Sequence, residues 1–86
     1  MNSVIKTNII SSILNGGQTI NIPFNNRIVV FGMYGQGNGF AYMAYPGTIF
    51  KLVSSNNEVV PSCSGNTLTL KNNNPNGGYR LLVITI

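Results

Sequence analysis

Turn-forming residues punctuate this sequence at short, even intervals, and that spacing constrains the fold more than any other feature. Turn signals fall at Asn15-Gly16-Gly17, Asn25-Asn26, residues 35–39, Pro46-Gly47, residues 54–57, residues 62–66 and residues 72–78. Asn and Gly tolerate the positive φ that tight hairpins demand. The runs between them are rich in Ile, Val, Thr, Tyr and Phe, side chains that suit a pleated sheet. Short strands separated by turn signals every 8–12 residues read as a sandwich or barrel. The expected strands cover residues 4–13, 19–24, 27–34, 40–45, 48–54, 58–62, 67–71 and 79–86. The first run is ambiguous, because Val4, Ile5, Ile9, Ile10, Ile13 and Leu14 would also make a helical stripe. It is read as a strand because it is β-branched and contains neither Ala nor Glu. The expectation is one all-β domain over residues 1–86: an antiparallel two-layer β-sandwich, jelly-roll-like, of about eight short strands.

Two strands alternate cleanly and so have one wet face. Ile20, Ile22 and Phe24 face one way and Thr19, Asn21 and Pro23 the other; Leu68 and Leu70 oppose Thr67, Thr69 and Lys71. Two others are apolar on both faces. Val29, Phe31 and Met33 oppose Ile28, Val30 and Tyr34, and Leu81 and Val83 oppose Leu82, Ile84 and Ile86. A two-layer sandwich covers one face of each sheet. The second face is roofed either by loops or by a neighbouring subunit, since large apolar patches commonly mark interfaces. Ile28, Val30, Leu82, Ile84 and Ile86 are the candidate subunit contacts.

Composition narrows the chemistry. The 86 residues include six charged ones: Lys6, Arg27, Lys51, Glu58, Lys71 and Arg80; His, Asp and Trp are missing. A Ser-His-Asp triad and a carboxylate pair need residues this chain lacks, and general acid–base work, which usually uses His, Asp, Glu or a perturbed Lys, finds one carboxylate without a partner. Cys63 and Glu58 alone cannot make a zinc site. The sequence therefore reads as non-enzymatic, with no catalytic residue, no metal and no cofactor. A domain this small has a marginal core, and one Cys cannot staple it. With 43% hydrophobic and 7% charged residues, against about 25% charged in an average chain, association with other chains is the route left, the plainer reading being a compact, stable monomer. The net charge of +4 comes from five dispersed cations, not the basic stripe that nucleic-acid binding wants. No apolar run is long enough for a membrane helix. The start lacks a basic segment followed by a continuous apolar one, as a signal peptide would have. No Asn-x-Ser/Thr sequon occurs among fourteen Asn residues. A lone thiol suits an unoxidised route such as bacterial cytoplasm.

Three motifs offer recognition chemistry, each beside a plainer reading. Gly35-Gln36-Gly37-Asn38-Gly39 lacks the following helix, acid and Lys of nucleotide loops and reads as a hairpin loop or a point of close backbone approach. Tyr34, Phe40, Tyr42 and Tyr45 flank it. Aromatic rings beside neutral amides suit a sugar, which makes Tyr34, Asn38, Tyr42 and Tyr45 the candidate ligand-binding residues; the same rings would equally pack in a core. Residues 72–78 form the longest polar loop, either a recognition tip or a solvated connection. Cys63 has no His to activate it, and Glu58 is expected to pair with a cation or sit exposed at a strand start.

Several stretches carry a resemblance: Asn15-Gly16-Gly17-Gln18-Thr19-Ile20-Asn21-Ile22, Arg27-Ile28-Val29-Val30-Phe31-Gly32, Val53-Ser54-Ser55-Asn56-Asn57-Glu58-Val59-Val60, Ser64-Gly65-Asn66-Thr67-Leu68-Thr69-Leu70-Lys71-Asn72-Asn73 and Arg80-Leu81-Leu82-Val83-Ile84-Thr85-Ile86. The pattern resembles the small β-sandwich domains at the C-terminal ends of bacteriophage tail fibres and of related receptor-binding or virion-decorating proteins. That resemblance implies a homo-oligomer, a trimer above all, located in the virion and supporting attachment to a host-surface glycan. The competing readings are a monomeric carbohydrate-binding module of a bacterial extracellular protein, and an assembly or capping domain with no ligand. Such domains usually end a long fibre, whereas Met1 stands directly before this one; the chain then reads as a stand-alone virion component or an excised terminal domain.

Overall fold

The computed structural model describes residues 8–34, 38–54 and 58–86. Every described element is a strand: β1 Asn8–Leu14, β2 Thr19–Pro23, β3 Ile28–Tyr34, β4 Asn38–Tyr45, β5 Thr48–Ser54, β6 Val59–Ser64, β7 Thr67–Asn72 and β8 Tyr79–Thr85. All eight expected strands are present, with ends shifted by a residue or two. Residues 4–7 of the first expected strand and the turn segments 35–37 and 55–57 lie outside the described residues.

The strands form two antiparallel sheets, one of five in the order β1-β8-β3-β4-β5 and one of three in the order β2-β7-β6. The β1·β8 and β2·β7 pairs wind the two ends of the chain together as a jelly roll does. The middle departs from that scheme, because β3, β4 and β5 stay in one sheet as a meander. Turn chemistry places the corners. Gly17 carries φ +78°, open to glycine at no steric cost, in a turn closed by Gln18 N–H to Asn15 O at 3.0 Å and by Asn15 N–H to Gln18 Oε1 at 2.8 Å. The β4–β5 and β6–β7 turns are tied across the layers by Gly47 N–H to Gly65 O at 2.9 Å.

The core lies between the sheets. Ile28, Val30, Leu81 and Val83 of the large sheet meet Ile22, Leu68, Leu70 and Val59 of the small one. The alternation expected for β7 holds, with Leu68 and Leu70 fully buried, and so does that of β2, where Ile22 and Phe24 are buried and Ile20 is half-buried against them.

β3 and β8 are neighbours; their register fixes which residues share a face, and burial shows which face is internal. Directly paired residues share a face. Val30 pairs with Val83 and Gly32 with Leu81 on the inner side; Val29 pairs with Ile84 and Phe31 with Leu82 on the outer side. This corrects two of the expected subunit contacts. Ile28 and Val30 are wholly buried in the chain's own core and are unavailable to a neighbour. Leu82 and Ile84 do lie outside. Ile86 follows β8, where its N–H donates to Arg27 O and its carbonyl accepts from the Asn26 and Arg27 amides, prolonging the β3·β8 ladder.

Candidate functional site

The expected tyrosine cluster does not converge on one surface. Tyr42 is 1% exposed and donates its hydroxyl to Val59 O at 2.9 Å. It stacks on Phe40 at 4.8 Å between ring centroids, Phe40 tilts on Tyr79 at 5.5 Å, and Tyr79 on Tyr34 at 5.3 Å. These four rings are one aromatic row inside the sandwich. Tyr42 is therefore a core residue and not a ligand contact; it shares a face with Phe40, two residues away, and both are buried. Two glycines make room for the row. A Cβ on Gly32 would run into the Phe40 ring, and one on Gly77 into Tyr34. Tyr34 is half-buried at one end of the row. Tyr45 sits elsewhere, edge-on to Phe50 at 5.6 Å, with the Arg27 guanidinium 5.1 Å from its ring centre. Asn38 pairs with Tyr34 at the β3–β4 hairpin; its side chain lies outside the described residues. Residues 35–37 of the glycine-rich loop lie outside them as well.

The Asn-rich loop after β7 is built and anchored. Asn72, 0% exposed, donates Nδ2 to Leu14 O at 3.1 Å and to Gly77 O at 2.9 Å, and its Oδ1 accepts the Asn74 amide at 2.9 Å. Asn74 Oδ1 accepts the Asn76 amide at 2.9 Å. Glu58 joins this network instead of sitting exposed at a strand start. Its Oε1 accepts from Tyr79 Oη at 2.9 Å and from Asn74 Nδ2 at 3.4 Å, and its backbone carbonyl accepts from the Asn73 amide. The lone acid thus locks an aromatic core residue to the loop. Cys63 is half-buried, its thiol directed at Tyr45 O at 3.4 Å. Among the described residues no group of three or more metal-binding side chains comes together, and no helix is long and apolar enough to cross a membrane.

What remains as a surface feature is the outer face of the five-stranded sheet. On β1 it carries Ile9 (66% exposed) and Ile13 (55%), on β3 Phe31 (44%) and Met33 (63%), and on β8 Leu82 (39%). The register makes these one surface, with Ile9 beside Ile84, Ile84 beside Val29 and Leu82 beside Phe31. Val29 in turn pairs with Met43 of β4, and Met43 with Phe50 of β5. A shallow open depression of about 310 Å³ between Phe31, Met33, Leu82 and Arg80 lies in this face. Five strands about 4.8 Å apart and some 20 Å long give it a footprint of roughly 500 Å². That is the area of the whole face, with Ser11 and Arg80 in it, and it lies within the size range of the largest apolar patch on a typical monomer, a patch that is often functional. Strand periodicity had marked Val29, Phe31 and Met33 as one face of β3, but only the packing of the opposite face into the core between the sheets identifies this one as outer.

No protein-family profile matches the chain, and no curated protein or solved structure is significantly similar to it.

Proposed function

We propose that this chain is a non-catalytic structural domain that works as a self-associating unit, its subunit contact being the outer face of the large sheet. The observation that carries the proposal is the continuous exposure of Ile9, Ile13, Phe31, Met33 and Leu82 on one sheet face. In water such a face costs roughly 25 cal/mol for each Å² left uncovered, and a second copy of the chain is the partner always at hand. The scarcity of charge fits the same reading. Apart from Arg80, the residues named on that face are uncharged, so docking desolvates few ions. Together with the sequence resemblance, this favours a tail-fibre or receptor-binding component of a phage virion, trimeric and supporting attachment to a host-surface glycan. Several weak sites carried on one assembly would bind by avidity. Tyr34 and Tyr45, both half-buried, are the tyrosines of the predicted set left with accessible ring surface.

Light scattering after size-exclusion chromatography tests the assembly. The wild type is expected to elute as an oligomer at micromolar concentration, and Phe31→Lys with Leu82→Lys as a folded species of lower order. A monomeric wild type overturns the proposal and leaves a monomeric carbohydrate-binding module as the better reading. A glycan array probed with Tyr34→Ala and Tyr45→Ala controls separates attachment from assembly alone; an oligomer that binds no glycan is an assembly domain.

A further inference from the structure

Two sheets have four edges, and three of them are blocked. Proline is confined to edge positions because it cannot donate to a ladder, and here β2 carries Pro23 and β6 carries Pro61, the two edge strands of the small sheet. At the far edge of the large sheet, β5 carries exposed Lys51 and a bulge. Ala41 pairs with Val53 and Tyr42 with Lys51, so Leu52 has no opposite residue. Proline, lysine and bulges are the usual devices against edge-to-edge pairing. The fourth edge is β1, Asn-Ile-Ile-Ser-Ser-Ile-Leu, seven residues with no charge, no proline and no bulge. Among the described residues it pairs with β8 alone. On its inner side Ile10, 49% exposed, borders an open apolar seam of about 210 Å³ between the sheets, shared with Ile20, Ile22 and Val83.

We infer that β1 is a pairing edge for β1 of a second copy, joined antiparallel about a two-fold axis at Ser11. This contact goes beyond the face-to-face association proposed above and stands on different observations. The occupant is a second copy because the strand is its own complement. The register centred on Ser11 is the one that overlaps all seven residues. It sets Ile9 against Ile13, Ile10 against Ser12 and Ser11 against Ser11, so outer residues meet outer and inner meet inner, as a continuous sheet requires. No charge faces a like charge. Ile9 and Ile13 become cross-strand partners, and two five-stranded sheets become one of ten.

Cysteine cross-linking reads this register directly. Residues facing one another across an antiparallel pair have Cα atoms about 4.5–5.5 Å apart, inside the disulfide range. In a Cys63→Ser background, Ser11→Cys is expected to form a disulfide-linked dimer under mild oxidation about 100-fold faster than Ser62→Cys, exposed on β6 of the small sheet, at about 10 µM protein, since paired strands hold facing thiols at effective concentrations of order millimolar. Ile9→Cys alone stays unlinked, whereas an equimolar mixture of Ile9→Cys and Ile13→Cys chains links across. Circular dichroism of the reduced variants confirms that each is folded. Ser11→Cys linking no faster than Ser62→Cys overturns the edge contact. If that chain is oligomeric by light scattering, the face contact survives without the edge; if it is monomeric, both fall. Linking of Ser11→Cys in a chain whose assembly Phe31→Lys leaves intact establishes the edge and removes the face.

Discussion

Replacing Asn72 with Ala is expected to cost about 3–4 kcal/mol. The side chain is completely buried and makes three hydrogen bonds, donating to Leu14 O and Gly77 O and accepting from the Asn74 amide. Truncation leaves three backbone groups unpaired, and each buried group so stranded costs about 1–3 kcal/mol, less whatever an entering water restores. A domain of this length has a total stability of roughly 4–13 kcal/mol, so the loss is a large share of it. With a urea m-value of about 1 kcal/mol/M for a chain this small, the midpoint should fall by about 3 M. Asn72→Asp should be worse than Ala, because it retains the acceptor for Asn74 but turns a carboxylate toward two carbonyl oxygens that had been accepting. Urea unfolding followed by far-ultraviolet circular dichroism, at one fixed protomer concentration because association adds stability, measures both. A shift under about 0.5 M for Ala, or an Asp variant as stable as the wild type, would refute the claim that this side chain organises the loop.

Other substitutions test the aromatic row and the surface. Gly32→Ala pushes a methyl group into the Phe40 ring and should cost about 1–3 kcal/mol, lowering the thermal midpoint by about 10 °C in a calorimetric scan. Tyr42→Phe preserves the packing but strands the Val59 carbonyl, for an expected loss of about 1–2 kcal/mol in chemical denaturation. Arg27→Gln removes an exposed cation from the Tyr45 ring and should change stability by less than about 1 kcal/mol; a larger loss would mean that the pair is desolvated.

The strands were legible because their signals are local. Ile20-Asn21-Ile22 and Leu68-Thr69-Leu70 alternate with a period of two, and Asn-Gly turns bound them. In β3 and β8 the same rule gives the two faces but not their sense, because both are apolar. Only the packing of Val30 and its partner Val83, far apart in the chain, into one core with Leu68 and Leu70 of the small sheet turns Ile28 and Val30 inward and Phe31 outward. Tyr42 and Tyr45 pose the same problem: alternation separates them, yet nothing local says which one is internal. Asn72 was hidden differently. In a run of asparagines each residue looks like a turn former, and what distinguishes this one is the Leu14 carbonyl near the other end of the chain.

The position of β8 has a consequence for how the molecule comes into being. β8, the latest made of the described strands, lies between β1 and β3, so the large sheet has a gap until that segment is made. Contacts that join opposite ends of a chain form slowly, and a nascent chain stopped before Tyr79 would expose β1 and β3 with no partner between them. A stop codon placed just before Tyr79 should yield an insoluble product rather than a shortened domain, and the chain must stay dispersed until β8 has been made.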